Sequence, residues 1–301
     1  MAGMKEIKNK IEGIQETQKI TSAMYLIAST KLRKAREKLD NTMPYFDELK
    51  GDIAMMFANL ETYESIFFLP EGVEEEDDTD LPGKYGYLVI TADKGLAGEY
   101  NMRVIRDAEK RLREHDDNAL FVVGEYGRAY FASHGYQIEK SFLYSAQNPD
   151  MDRARFICDH LVDLYVKREL SKIYLIYTDF GNGLNPTAVC KRILPFHRAF
   201  FDEIPGNSES LFEFVPSVQE VLDNIIQNYV IGYVYSALID SFCSEQNARM
   251  MAMDNANRNA KEMLDKLRLE YNHARQSAIT QEITEVSSGA RALRKNRNRG
   301  N

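Results

Sequence analysis

MKEIKNKIEGIQETQKITSAMYLIASTKLRKAREKL, residues Met4–Leu39, decides the architecture. Met4, Ile7, Ile11, Ile14, Gln18, Thr21, Tyr25, Ala28, Leu32, Ala35 and Leu39 follow one another at alternating spacings of three and four, and nine of the eleven are apolar or aromatic. A repeat of that period is a heptad seam, and an isolated helix carrying one needs a partner helix. Pro44 removes a backbone donor and is expected to kink or break the helix. Phe46, Leu49, Ile53, Met56 and Phe57 continue the apolar pattern, so the N-terminal helical segment is placed at 1–60.

The partner stands at the other end of the chain. From Ser217 to Leu293 there is no proline, and glycine occurs only at Gly232 and Gly289. One helix over 217–293 would be about 110 Å long. Its first half is apolar on most sides, with Val218, Leu222, Ile226, Val230, Val234, Leu238 and Phe242 among others, so that half must be covered from several directions. Beyond it the apolar stripe narrows to Met253, Ala256, Ala260, Met263, Leu267, Tyr271, Ala274 and Ala278. Two single seams at opposite ends of one chain predict an antiparallel coiled coil. The C-terminal helix is the longer, so part of it is expected to project past its partner.

Between the seams the reading is α/β. Strands are predicted at 85–91, 119–123, 173–178 and, as an added edge strand, 187–194. Helical patterns lie between them, and this alternation implies a mostly parallel sheet. The α/β domain is placed at 85–200, flanked by an acidic loop or linker at 61–84 and a second linker at 201–216. A basic tail covers 294–301. The stretch 71–80 holds seven acids and no base, a composition that cannot bury enough apolar surface to order itself.

The chain has 301 residues, 44% apolar and 28% charged, with a net charge of −8. That composition is soluble and globular. No run of 18 apolar residues occurs, and the N-terminus lacks the apolar core of a signal peptide, so the protein is expected in the cytoplasm. Basic residues cluster at the ends, nine Lys or Arg against four acids over residues 1–38. Such clusters serve nucleic-acid binding in some proteins, but solvated faces of long helices carry the same pattern.

Signatures of chemistry are missing. TADKGLAGEYN (Thr91–Asn101) follows a strand and precedes a helix, but it has neither phosphate-loop nor dinucleotide-loop spacing, and it reads as a tight turn. Asp179-Phe180-Gly181 has none of the companion motifs of a kinase. Cys158, Cys190 and Cys243 are scattered, and the five histidines lack ligand spacing. Glu282 and Glu285, one turn apart, read as a solvated helix face. No catalytic, cofactor-binding or metal-binding constellation is expected.

The stretches that carry the seams also carry a resemblance. IKNKIEGIQETQKITSAMYLIASTKLRKA (Ile7–Ala35), SEQNARMMAMDNANRNAKEM (Ser244–Met263) and YNHARQSAITQEITEVSSGARAL (Tyr271–Leu293) resemble the two ends of F-type ATP synthase gamma subunits of bacteria. ITADKGLAG in the middle is similar to that family's first turn, with Ala97 where a cysteine is common. Val215 stands where the family usually has glutamate before the last helix. The resemblance implies an α/β plus coiled-coil fold: an antiparallel coiled coil of long N- and C-terminal helices with a central Rossmann-like α/β domain. It implies a non-catalytic rotor that couples proton or sodium flow to catalysis on alpha and beta subunits, with the epsilon subunit and the membrane c-ring as further partners. The setting it implies is peripheral, on the cytoplasmic face of the cell membrane. Carried over position by position, Arg275 and Gln276 would meet a beta subunit. Met24, Arg249, Thr280 and Glu282 would serve coupling, and Ile279, Ile283, Val286 and Leu293 would lie in an apolar bearing.

Two other readings fit the periodicity without the resemblance. A coiled-coil scaffold would pair its seams between chains, and a small-molecule enzyme would bind its ligand near Asp93–Asn101.

Overall fold

A computed structural model describes residues 2–58, 65–69, 83–181, 186–202, 214–215 and 217–297. The acidic stretch 71–80 and the tail end 298–301 lie outside the described residues, as does the side chain of Leu293. The elements are α1 (Ala2–Ala58), β1 (Lys84–Ile90), α2 (Tyr100–Glu114), β2 (Asn118–Val123), α3 (Glu125–Ser133), α4 (Met151–Val166), β3 (Leu170–Asp179), β4 (Thr187–Leu194), α5 (Ala199–Asp202) and α6 (Val218–Arg297). They divide into two compact units: Met1–Ile27 with Met250–Asn301, and Ala28–Arg249.

The first unit pairs the N-terminal part of α1 with the C-terminal part of α6. On α1, Met4, Ile7, Ile11, Ile14, Gln18, Thr21 and Tyr25 are all half-buried, as the seam requires. Thr21 is hydrogen-bonded to Asn257. Eleven residues towards the N-terminus, Lys10, whose pKa is raised first by Glu6, also feels the charge of Glu270. Positions fall on one helix as they rise on the other, so the pair is antiparallel. On α6, Met253, Ala260 and Leu264 are buried, and Asn257, Leu267, Tyr271, Ala274 and Ala278 are half-buried.

One seam position is corrected. Met263 is 50% exposed, and its neighbour Leu264 is 5% exposed. The alternation from Ala260 runs to Leu264 and then Leu267, which leaves Met263 about 100° round the helix. Leu264→Ala is therefore expected to cost about 2–4 kcal/mol in chemical denaturation of the full chain. Met263→Ala should stay within about 0.5 kcal/mol, as exposed positions do. Equal losses from the two would restore Met263 to the seam.

In the second unit a four-stranded sheet has the order β2-β1-β3-β4. β1 is parallel to both β2 and β3, and β4 is antiparallel to β3 at the edge. β1 is buried on both faces because its side chains alternate between two cores. Tyr87 and Val89 pack with Val104, Ile105 and Ala108 of α2. Leu88 and Ile90 join the larger core with Ile157 and Leu161 of α4 and Leu238 and Ile239 of α6. The all-round apolar first half of α6 is thus covered as its sequence requires: Leu222, Ile226, Val230, Val234, Leu238 and Phe242 are buried.

Pro44 does not break α1, which runs on to Ala58. Pro44 is exposed, while Phe46, Leu49 and Ile53 beyond it are buried in the larger core. Burial of that face offsets the one hydrogen bond proline removes. Within 65–69, part of the stretch read as linker, Phe67 and Phe68 are also buried, and Phe68 bridges to Phe196.

Candidate functional site

Open α/β sheets bind ligands outside the carboxyl ends of their strands, where the strand order reverses. Here that place lies between β1 and β3, and polar groups of the chain hydrogen-bond to one another around the strand ends. The Ser241 hydroxyl accepts the Thr178 amide hydrogen at 3.2 Å, and Ser244 donates to the Thr178 carbonyl at 3.4 Å. Asn101 accepts from the Ala92 amide at 2.9 Å. Thr91 donates to the Val123 carbonyl at 2.9 Å and accepts from the Gly127 amide at 3.1 Å. That second bond needs a residue without Cβ, since a Cβ at Gly127 would lie 2.5 Å from the Thr91 hydroxyl.

Asp93, in the turn after β1, works as an internal brace. Its carboxylate accepts from the Glu125 and Ala146 amides at 3.1 Å each and from the Ser145 hydroxyl. Burial pushes its pKa up, but these hydrogen bonds outweigh burial and hold it below the usual value. The same turn is tied to α6. Arg249 donates to the Gly95 carbonyl at 3.1 Å and pairs with Glu245 at 2.6 Å. Glu245 is 1% exposed, and burial raises its pKa against the pull of Arg249. Breaking such a pair by removing one partner leaves a buried charge uncompensated.

TADKGLAGEYN is thus a braced turn in which Thr91, Asp93 and Asn101 are hydrogen-bonded within the fold. Sequence reasoning named the turn but missed Ser241, Ser244 and Glu245. Ser244 and Glu245 stood inside a quoted motif, but nothing in their spacing marked them as buried.

The residues named from the resemblance fall in separate places. Arg249 sits in the second unit, half-buried and engaged as above. Met24, in the first unit, is half-buried on α1. Arg275, Gln276, Ile279, Thr280, Glu282, Ile283 and Val286 all lie on the first unit's part of α6, exposed. After Ala278 every residue through Arg291 is exposed. Ile279, Ile283 and Val286 form one stripe at spacings of four and three, exposed by 44%, 61% and 73%. On the same stretch Thr280 donates back to the Gln276 carbonyl at 2.9 Å, and Gln281 donates to Glu285 at 3.0 Å. No helix among the described residues is long and apolar enough to cross a membrane.

Residues 3–293 match the family model described as ATP synthase. The chain is 40% identical over 295 residues to the ATP synthase gamma chain of Ruminiclostridium cellulolyticum, covering 96% of this chain and 98% of that one. It is 38% identical to the ATP synthase gamma chain of Acetivibrio thermocellus, covering 98% and 100%. The chain belongs to the ATP synthase gamma chain family.

Solved structures agree in fold with this gamma-chain assignment. A chain of the Euglena gracilis mitochondrial ATP synthase (OSCP/F1/c-ring, rotational state 3) superposes with a TM-score of 0.65 at 14% identity, over 97% of this chain and 95% of that one. A chain of the Tetrahymena thermophila mitochondrial ATP synthase central stalk and c-ring superposes with a TM-score of 0.56 at 22% identity, over 79% and 99%. The expected α/β plus coiled-coil architecture is the architecture found. The scaffold reading is not favoured by relatives that carry the gamma-chain name over nearly their whole length.

Proposed function

We propose that the chain is the central rotor stalk of an F-type ATP synthase, itself non-catalytic, coupling ion flow through a membrane c-ring to nucleotide chemistry on surrounding alpha and beta subunits. The observation that carries this reading is the unpaired end of α6. A helix of that length alone in water is marginal, and an exposed stripe of Ile279, Ile283 and Val286 calls for a surrounding apolar surface. A ring of alpha and beta subunits supplies such a sleeve. Arg275 and Gln276, one turn before the stripe, then face a beta subunit, and Thr280 and Glu282 join them.

One shaft in a threefold ring touches each beta subunit differently, so every step biases a different site by differential contact. Met24 stands on the half of α1 that pairs with this shaft. Arg249 serves the same purpose from within the second unit by fixing the braced turn to α6. The epsilon subunit and c-ring complete the partners, and the chain is peripheral on the cytoplasmic face of the membrane.

Isolation of the native complex tests the reading. An ATP-hydrolysing assembly with three alpha and three beta subunits per copy of this chain is expected. Recovery without such a ring would sink it. Within that assembly, Arg275→Ala and Gln276→Leu should lower ion pumping per ATP hydrolysed while leaving helix content unchanged by circular dichroism.

A further inference from the structure

The end of β3, the edge strand β4, α1 and the middle of α6 line a partly open cavity of about 250 Å³ within the second unit. Asp240 of α6, Asp179 of β3 and Asp47 of α1 line it, and Lys191 of β4 is the one cation among its lining residues. Tyr177 and Tyr233 are hydrogen-bonded to each other in the same wall, and Tyr229 borders it. A carboxyl held among aromatic rings with a second carboxylate beside it, as Asp240 is, is costly to charge.

We propose that Asp240 holds a proton in this pocket beside Asp179, making a proton-operated clamp between α6 and the β3–β4 edge that is tight in mild acid and weakened as pH rises to neutrality. Asp179 accepts the Gly181 amide hydrogen at 2.9 Å, which fixes its carboxylate at the end of β3. Burial first, and then the charge of Asp179, push the Asp240 carboxyl up to about 7 against the pull of Lys191. The neighbours stay neutral in that range: burial pushes Tyr233 up to about 12, raises Tyr177 and Tyr229 further, and puts Cys243 of the same helix at about 12.

An open or unfolded Asp240 returns to the ordinary value of 3.8. Between that value and neutrality the closed form binds the extra proton, so closure loses stability as pH rises. The loss reaches tenfold per pH unit for one proton and levels off above neutrality. The clamp is independent of the rotor reading, and the test uses the full-length chain alone.

The unfolding constant is measured by chemical denaturation from pH 5 to 8.5 for the natural chain and for Asp240→Asn, which mimics the protonated acid. Hydrogen exchange of residues 229–243 is followed in parallel. The ratio of natural to variant constants should rise at least tenfold between pH 5 and 7 and then flatten, with exchange following it. A ratio constant across the range would overturn the clamp. Should Asp240→Asn fail to fold, Asp179→Asn carries the test. Removing the neighbouring charge should move the break to lower pH, and an unmoved break would overturn the proposal.

Discussion

Gly232→Leu is expected to destabilise the chain by about 3 kcal/mol or more, at the upper end of what overpacking costs. Gly232 lies in the interior of α6, where glycine is about 1 kcal/mol worse than alanine, so its presence needs a packing reason. The reason is Phe46 of α1. A Cβ on Gly232 would stand 2.0 Å from Cδ1 and 2.1 Å from Cε1 of that ring. Phe46 is 6% exposed and belongs to the larger core, so displacing its ring disturbs that core. Phe46→Ala alone opens a cavity and should cost about 3–5 kcal/mol. The double variant should cost at least about 1 kcal/mol less than the sum, because each change relieves the other. Strict additivity in denaturation midpoints would show that ring and glycine do not limit one another.

The second large effect concerns function. Ile279→Asp, Ile283→Asp and Val286→Asp together should leave the stability of the isolated chain within about 0.5 kcal/mol, since all three are exposed. In the assembled synthase the same three changes should lower the rate of ATP synthesis by roughly tenfold or more, about 1.4 kcal/mol on the barrier. The cause is desolvation of three carboxylates inside an apolar sleeve. Stability and function thus separate on one stretch of helix, in contrast to Leu264, where loss of stability comes first. Synthesis at the natural rate by a fully assembled variant complex would mean that the stripe touches nothing during turnover.

The coiled coil was the most legible part of the fold, because period is a local property. Met4, Ile7, Ile11 and Ile14 on one helix and Leu267, Tyr271, Ala274 and Ala278 on the other lie where spacing alone put them. The one slip, Met263 for Leu264, arose where both adjacent residues are large and apolar and three or four steps from Ala260 fit equally. The strands were legible for a similar reason, since short runs such as Tyr87–Ile90 read as buried on both faces.

The polar network at the end of the sheet was not legible. Asp93, Asn101, Ser241 and Glu245 are far apart in the chain and ordinary in type, and no spacing rule joins them. That the helix would run on past Pro44 was not legible for the converse reason: the local preference of proline to break a helix is strong, and the burial of Phe46, Leu49 and Ile53 beyond it outweighs that preference.

Sequence by itself therefore determined two seams, an α/β insert between them, and, through the stretches around Ala248–Ala260 and Tyr271–Glu285, the gamma-chain family. Tertiary structure alone decided that Thr21 meets Asn257, that α6 is exposed beyond Ala278, and that Ser241, Ser244 and Arg249 hydrogen-bond to the end of β3 and the turn after β1. The division follows from the physics. Periodicity and motif are written within a turn or two of chain, whereas register and polar contacts between separate elements depend on which distant groups packing brings within a few ångströms.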